Sequence, residues 1–158
     1  MKLKQLAEDF RVEEINELSL SKDKKGYKAY LLEKRGIETF SLISYLSRKN
    51  RIPIKEFGIA GLKDRHAITR QYFTIPSKYN IGMLHEKDFD ITLLGYTGKG
   101  LKLGDLKGNK FEIIARDIKK GELEGISQKS KNIEQIGVPN YFDSQRFGSV
   151  IGNEFIAR

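Results

Sequence analysis

Residues 58–76 read Gly58-Ile59-Ala60-Gly61-Leu62-Lys63-Asp64-Arg65-His66-Ala67-Ile68-Thr69-Arg70-Gln71-Tyr72-Phe73-Thr74-Ile75-Pro76. A short apolar run, Phe57–Ala60, breaks at Gly61 into a loop. Ile68–Ile75 is rich in β-branched and aromatic residues and reads as a strand. Pro76, which has no N–H for a ladder, stops it. Between the two lies Asp64, flanked by Lys63 and Arg65. Adjacent cations favour the ionised carboxylate. A carboxylate on a loop after a strand is also exposed enough to act as a nucleophile or base. The same triplet in most loops is a solvated turn, so its neighbours must decide between the two.

Upstream, Phe10, Val12 and Glu14 alternate with Arg11 and Glu13, which predicts a strand opening with DFRVEE. Lys22–Gly26 is a turn, and Tyr27–Arg35 is predicted to be a strand that hairpins with the first. Thr39 reads as the N-cap of a helix in which Phe40, Ile43 and Leu46 recur at helical spacing, with Leu42 and Tyr45 widening the apolar face. That helix should end near Asn50, before Pro53. Downstream, Phe89–Tyr96 and Phe111–Arg116 are strand candidates on either side of a Gly- and Lys-rich segment, residues 97–110. A helix is expected from about Leu123 to Ile136, then a loop over Pro139–Gly148, with Asn153 placed to cap a further helix. Strands and about two helices in mixed order predict an α+β fold rather than alternating βαβ units.

The 158 residues suit one domain. Hydrophobic residues make up 39% and charged residues 32%, the mark of a large solvated surface. No stretch is long and apolar enough for a membrane span, and none resembles a signal peptide. Cysteine is absent, which excludes disulfides and thiolate metal sites and is compatible with a cytoplasmic location. The excess of 29 Lys+Arg over 21 Asp+Glu, +8, points to a polyanionic partner such as RNA, although basic chains often carry such charge for solubility alone. If it serves RNA, the cations should gather around Asp64. His66 and His85 lack a third ligand, so no metal is expected, and neither Gly98-Lys99-Gly100 nor Gly108-Asn109-Lys110 forms a phosphate-binding loop. In Pro139–Gly148, Tyr141, Phe142 and Phe147 stand beside Asn140, Gln145 and Arg146. Such a mixture suits a base-stacking pocket, or a loop whose rings fill the core.

Three segments, in this order, resemble the motifs of the TruD family of pseudouridine synthases. Lys4, Asp9, Phe10, Val12 and Glu14 match K-x4-D-F-x-V-x-E; Gly61, Lys63, Asp64, Arg65, Ala67, Thr69 and Gln71 match G-x-K-D-[KR]-x-A-x-T-x-Q; residues 140–148 match N-Y-F-G-x-Q-R-F-G, except that Asp143 replaces the usual Gly. The resemblance implies a pseudouridine-synthase-like fold with a mixed, largely antiparallel sheet and flanking helices. It also implies isomerisation of a uridine in tRNA, at position 13, to pseudouridine, without cofactor or metal. Asp64 matches the family's catalytic carboxylate. Phe142 would stack on a flipped uracil, Asn140 would sit beside the carboxylate, and Lys4 would reach it and hold it ionised. Lys63, Arg65, Gln71 and Arg146 complete the expected substrate-binding set.

In the family a large inserted domain follows the third motif, and a C-terminal segment completes the catalytic domain. Residues 1–158 therefore resemble the N-terminal part, without the insertion and the closing segment. An incomplete sheet should leave an open strand edge and an apolar patch, to be covered by the rest of the same protein or by a second copy. A piece of this kind could be inactive by itself. The competing reading is an RNA-binding fragment that keeps the fold without catalysis.

Overall fold

The structure is a computed structural model, and it describes residues 1–138. The chain forms two units, 1–117 and 118–158. The first is organised around β4 (Ile68–Pro76), in which alternation buries Thr69, Gln71, Phe73 and Ile75 on one face. Along its whole length β4 pairs antiparallel with β2 (Tyr27–Arg35), with Arg35 opposite Ile68 and Tyr27 opposite Pro76. Two strands share its other edge. β1 (Phe10–Ile15) runs parallel to it at Ile68–Arg70, and β3 (Gly58–Ile59) antiparallel at Phe73–Thr74. β6 (Phe89–Thr97) lies outside β2, β5 (Leu84–His85) outside β6, and β7 (Gly108–Ile113) outside β1. Among these pairings only β1–β4 is parallel, so the fold is the expected α+β with a largely antiparallel sheet.

One expectation fails. β2 does not hairpin with β1, because β4 lies between them. The connection, residues 16–26, is too long for a tight turn. It engages β6 instead, through reciprocal backbone hydrogen bonds between Ser21 and Tyr96 of 2.8 and 3.0 Å. Gly26, at φ +74°, leads into β2.

The core lies under α1 (Thr39–Asn50), whose Leu42, Ile43 and Leu46 join Tyr30, Leu32, Phe73, Ile75 and Ile91 of the sheet. The Tyr30 and Phe73 rings stack at 5.0 Å. Each such side chain contributes roughly 1.5–3 kcal/mol when removed from water. The helix ends where Arg51 turns left-handed at φ +54° and the Ile52 N–H reaches the Ser47 carbonyl at 3.0 Å. Its N-cap position is held by Glu38 rather than by Thr39, whose hydroxyl is used elsewhere.

α1 covers the half of the sheet around β2, β4 and β6. In the other half, Phe111 and Ile113 of β7 are more than half exposed. The outer edge of β7 has no strand partner among the described residues. β7 starts three residues before the expected Phe111 and ends before Arg116, which turns aside to pair with Asp9. In the second unit, α2 (Lys120–Ile136) begins slightly before the expected Leu123, where Glu122 Oε2 accepts the Lys119 N–H at 3.0 Å. The expected loop Pro139–Gly148 and the Asn153 cap lie outside the described residues. Among the described residues no helix is long and apolar enough to cross a membrane.

Candidate active site

Because Arg35 stands opposite Ile68, the turn after β2 and the loop before β4 meet at one end of the sheet. Buried polar groups bind the two together. Thr39 Oγ1 accepts the Lys63 N–H at 3.1 Å and donates to Gln71 Oε1 at 2.8 Å. Gln71 Nε2 in turn donates to the Gly61 carbonyl at 3.2 Å. Lys34 Nζ donates to the carbonyls of Ile37 at 2.7 Å, Asp64 at 3.0 Å and Lys63 at 3.4 Å. Lys63 points down into the fold, with Nζ 2.9 Å from Glu14 Oε2. That contact is an ion pair without hydrogen-bond alignment, and Glu14 Oε2 is left with no hydrogen bond among the described residues.

With its backbone held from beneath, the loop turns Asp64 outward, its side chain 39% exposed. Oδ1 accepts the His66 N–H at 2.9 Å, and Oδ2 accepts from Lys4 Nζ at 3.0 Å. The His66 N–H, followed by Lys4, holds the carboxyl below its ordinary pKa against the opposing effect of partial burial. Lys4 comes from the segment before β1. Its backbone is left-handed, φ +52°, a conformation that costs a non-glycine residue about 1–2 kcal/mol. Its ammonium also lies 3.9 Å from the centre of the Phe10 ring. The segment is anchored by Asp9, fully buried and bonded twice by Arg116 at 2.6 and 2.8 Å, which keeps the Asp9 carboxyl below its usual pKa. The result is an ionised, accessible carboxylate with both oxygens oriented, able to add to an electrophilic carbon or take a proton.

The structure thus brings Asp64 and Lys4 together and leaves Arg65 exposed on the same loop. Lys63 and Gln71 are buried under it, so their geometry supports holding the loop rather than touching RNA. Phe142, Asn140 and Arg146 lie outside the described residues. His66 is exposed and orients Asp64 through its backbone, while His85 pairs with Asp90 at 2.8 Å. Among the described residues no three His, Asp or Glu side chains gather as metal ligands do. Cations are not confined to the Asp64 end, since Lys55, Lys99 and Lys102 line a hollow beside Gly58 and Thr74, at the other end of β4. The sequence reading missed Lys34 and the bridging role of Thr39. A signal for Lys34 existed, because it falls in phase with Tyr30 and Leu32 on the inward row of β2.

The family model of tRNA pseudouridine synthase D (TruD) matches residues 1–157. A probable tRNA pseudouridine synthase D 1 from Methanococcus maripaludis is 48% identical over 158 residues, which are 100% of this chain and 40% of that protein. A tRNA pseudouridine synthase D from Aquifex aeolicus is 35% identical over 165 residues, covering 100% of this chain and 42% of its own length. A crystal structure described as tRNA pseudouridine synthase D from Methanosarcina mazei superposes with a TM-score of 0.82 at 36% identity, over 94% of this chain and 35% of that one. The chain spans about two-fifths of the length of the curated relatives it matches.

Proposed function

This chain belongs to the TruD family of tRNA pseudouridine synthases, and from that premise we propose that it carries the catalytic carboxylate of a cytoplasmic enzyme that isomerises uridine 13 of tRNA. Asp64 is the reacting group. The observation that carries this reading is its geometry: an outward carboxylate, oriented by the His66 N–H and Lys4 on a loop tied down from beneath. The target uridine must leave its stack to reach it. Asp64 then adds to the flipped nucleotide, the N-glycosidic bond between the sugar C1′ and uracil N1 breaks, and the uracil turns so that its C5 bonds to C1′, with the C5 proton released to solvent and N1 taking a proton in its place. No atom is gained or lost and the carboxylate is regenerated. The flipped base stacks on Phe142, with Asn140 beside the carboxylate, while Arg65 and Arg146 meet the RNA backbone.

The His66 N–H and then Lys4 favour the charged form of Asp64, and Lys63 and Gln71 act from below as positioning residues. The uncovered β7 edge, with Phe111 and Ile113, is where the remainder of the protein or a second copy packs, since an exposed apolar edge favours pairing.

The test uses the complete gene product and a tRNA substrate, with pseudouridine read by tritium release from C5-tritiated uridine or by the mass shift of a chemical label selective for pseudouridine. Asp64→Asn removes turnover and leaves tRNA affinity unchanged, because it deletes a reacting oxygen but little contact area. Turnover surviving in that variant would end the assignment. A tRNA with cytidine at position 13 should yield no product. Phe142→Ala should weaken tRNA binding by about 1–3 kcal/mol through lost stacking.

A further inference from the structure

Lys34 is a buried cation, only 2% exposed, and among the described residues it forms no ion pair. An isolated ammonium inside a fold is costly, so its surroundings must compensate. Its neighbours do so with backbone oxygens alone: the carbonyl of Ile37 from the turn before α1, and those of Lys63 and Asp64 from the loop before β4. Three donors on one nitrogen match three acceptors from two separate segments. One of those acceptors belongs to Asp64 itself. The ammonium therefore grips the residue from which the carboxylate projects, through its backbone carbonyl.

We propose that Lys34 is a positioning residue for the reaction: its ammonium locks the loop 60–67 to the start of α1 and so sets the direction in which the Asp64 carboxylate meets the substrate. This rests on the reading of Asp64 as the reacting group. No shorter or apolar side chain at this position could serve all three carbonyls. Without the ammonium they would be buried unbonded, and the loop would move to reach water. A displacement of about 1 Å at a reacting group can cost on the order of 10²-fold in rate.

A second consequence concerns pH. Burial pulls the Lys34 ammonium down to about 8, while Asp64 and Glu38 pull the other way and Lys63 adds to the lowering. The remaining charged group of this cluster, Glu14 on β1, faces Lys63, and α1 and β4 contribute the uncharged Thr39 and Gln71. Deprotonation removes one donor and the charge together, so the grip on the loop loosens as pH rises through that value.

The experiment measures single-turnover rates with saturating complete protein on tRNA. Lys34→Met should fold, keep tRNA affinity and lose about 10²-fold in rate. Asp64→Asn is run beside it. Activity in Asp64→Asn would overturn the assignment of Asp64, whereas an inactive Asp64→Asn beside a folded, fully active Lys34→Met would overturn only the role of Lys34. If Lys34→Met fails to fold, the pH profile of Lys34→Arg decides. Wild type should lose rate as pH rises through about 8, and the arginine variant, always charged, should keep its rate above that point. Coincident profiles for the two would overturn the proposal.

Discussion

The two ends of β4 are held in opposite ways. At the Pro76 end the closure is made mainly of backbone and small residues, with the half-buried Lys28 donating to the Tyr79 carbonyl at 2.6 Å. Thr74 Oγ1 accepts the Leu101 N–H at 2.9 Å, and Gly58 lies so close to the Leu101 carbonyl that a Cβ there would overlap it. Gly100 sits under the Tyr27 ring, where a Cβ would come within 2.9 Å. At the Ile68 end the closure is made of buried charges and amides: Lys34, Lys63, Glu14, Thr39 and Gln71. Close packing gives rigidity that is insensitive to pH. A buried polar network gives directional control over one loop, but it must be fully satisfied or it destabilises the fold. The end that carries Asp64 uses the second device.

Breaking the charged end should have the largest effect on stability. Glu14→Gln leaves Lys63 charged and unpaired in the interior, and should destabilise the chain by about 3–5 kcal/mol in denaturant unfolding. Glu14→Leu combined with Lys63→Met should recover most of that loss, since neither charge then remains. Equal losses in the single and double variants would mean that the pair is not the unit that matters.

The closed end should respond to volume instead. Gly58→Ala must move the Leu101 carbonyl and should cost about 2–3 kcal/mol in the same measurement. An unchanged midpoint would show that the β3 edge relaxes easily.

A smaller effect is expected from Thr39→Val, which keeps shape but strands the Lys63 N–H and Gln71 Oε1. It should cost about 1–2 kcal/mol, and turnover should fall by a larger factor than stability explains, because the loop loses a tether.

Least of all should Lys4→Met change stability, since the Lys4–Asp64 pair is well exposed and worth under about 1 kcal/mol. Its signature lies in pH. On the proposed reading Asp64 reacts only when ionised, and its pKa is lowered chiefly by the His66 N–H and then by Lys4. Loss of Lys4 should therefore move the acid limb of the rate profile to higher pH. The stability contribution of Asp64, like that of Asp9, is present above the unfolded carboxyl pKa and is lost as pH falls through the lowered folded value.

Local periodicity made much of this fold legible. The segment opening at Phe10 alternates as strands do, Phe40, Ile43 and Leu46 recur at helical spacing, Ile68–Ile75 is stopped by Pro76, and the turn before Tyr27–Arg35 with its aromatic content decided an otherwise ambiguous run for a strand. Asp64 and Lys4 were legible as a pair through the motifs that carry them. Strand partners were not, because pairing depends on which ladder is longest in three dimensions. β4 offers β2 a register of nine residues, while the segment after β1 finds β6. Nor could the motif separate residues that face substrate from those that hold the loop, since Lys63 and Gln71 match it as well as Asp64 does.

The sequence by itself determined the kind of the longer elements and their order, the family, and the position of Asp64 on an exposed loop. All of these reside in local patterns of side-chain type. Tertiary structure alone decided that Lys63 turns inward to Glu14 and that Lys34 finds three backbone carbonyls to hold. A lysine's direction depends on where acceptors from distant segments converge, and no local pattern encodes the meeting of Ile37 with the Asp64 loop. Burial then makes the difference functional, because a desolvated ammonium interacts strongly with what it touches, whereas a solvated one is screened.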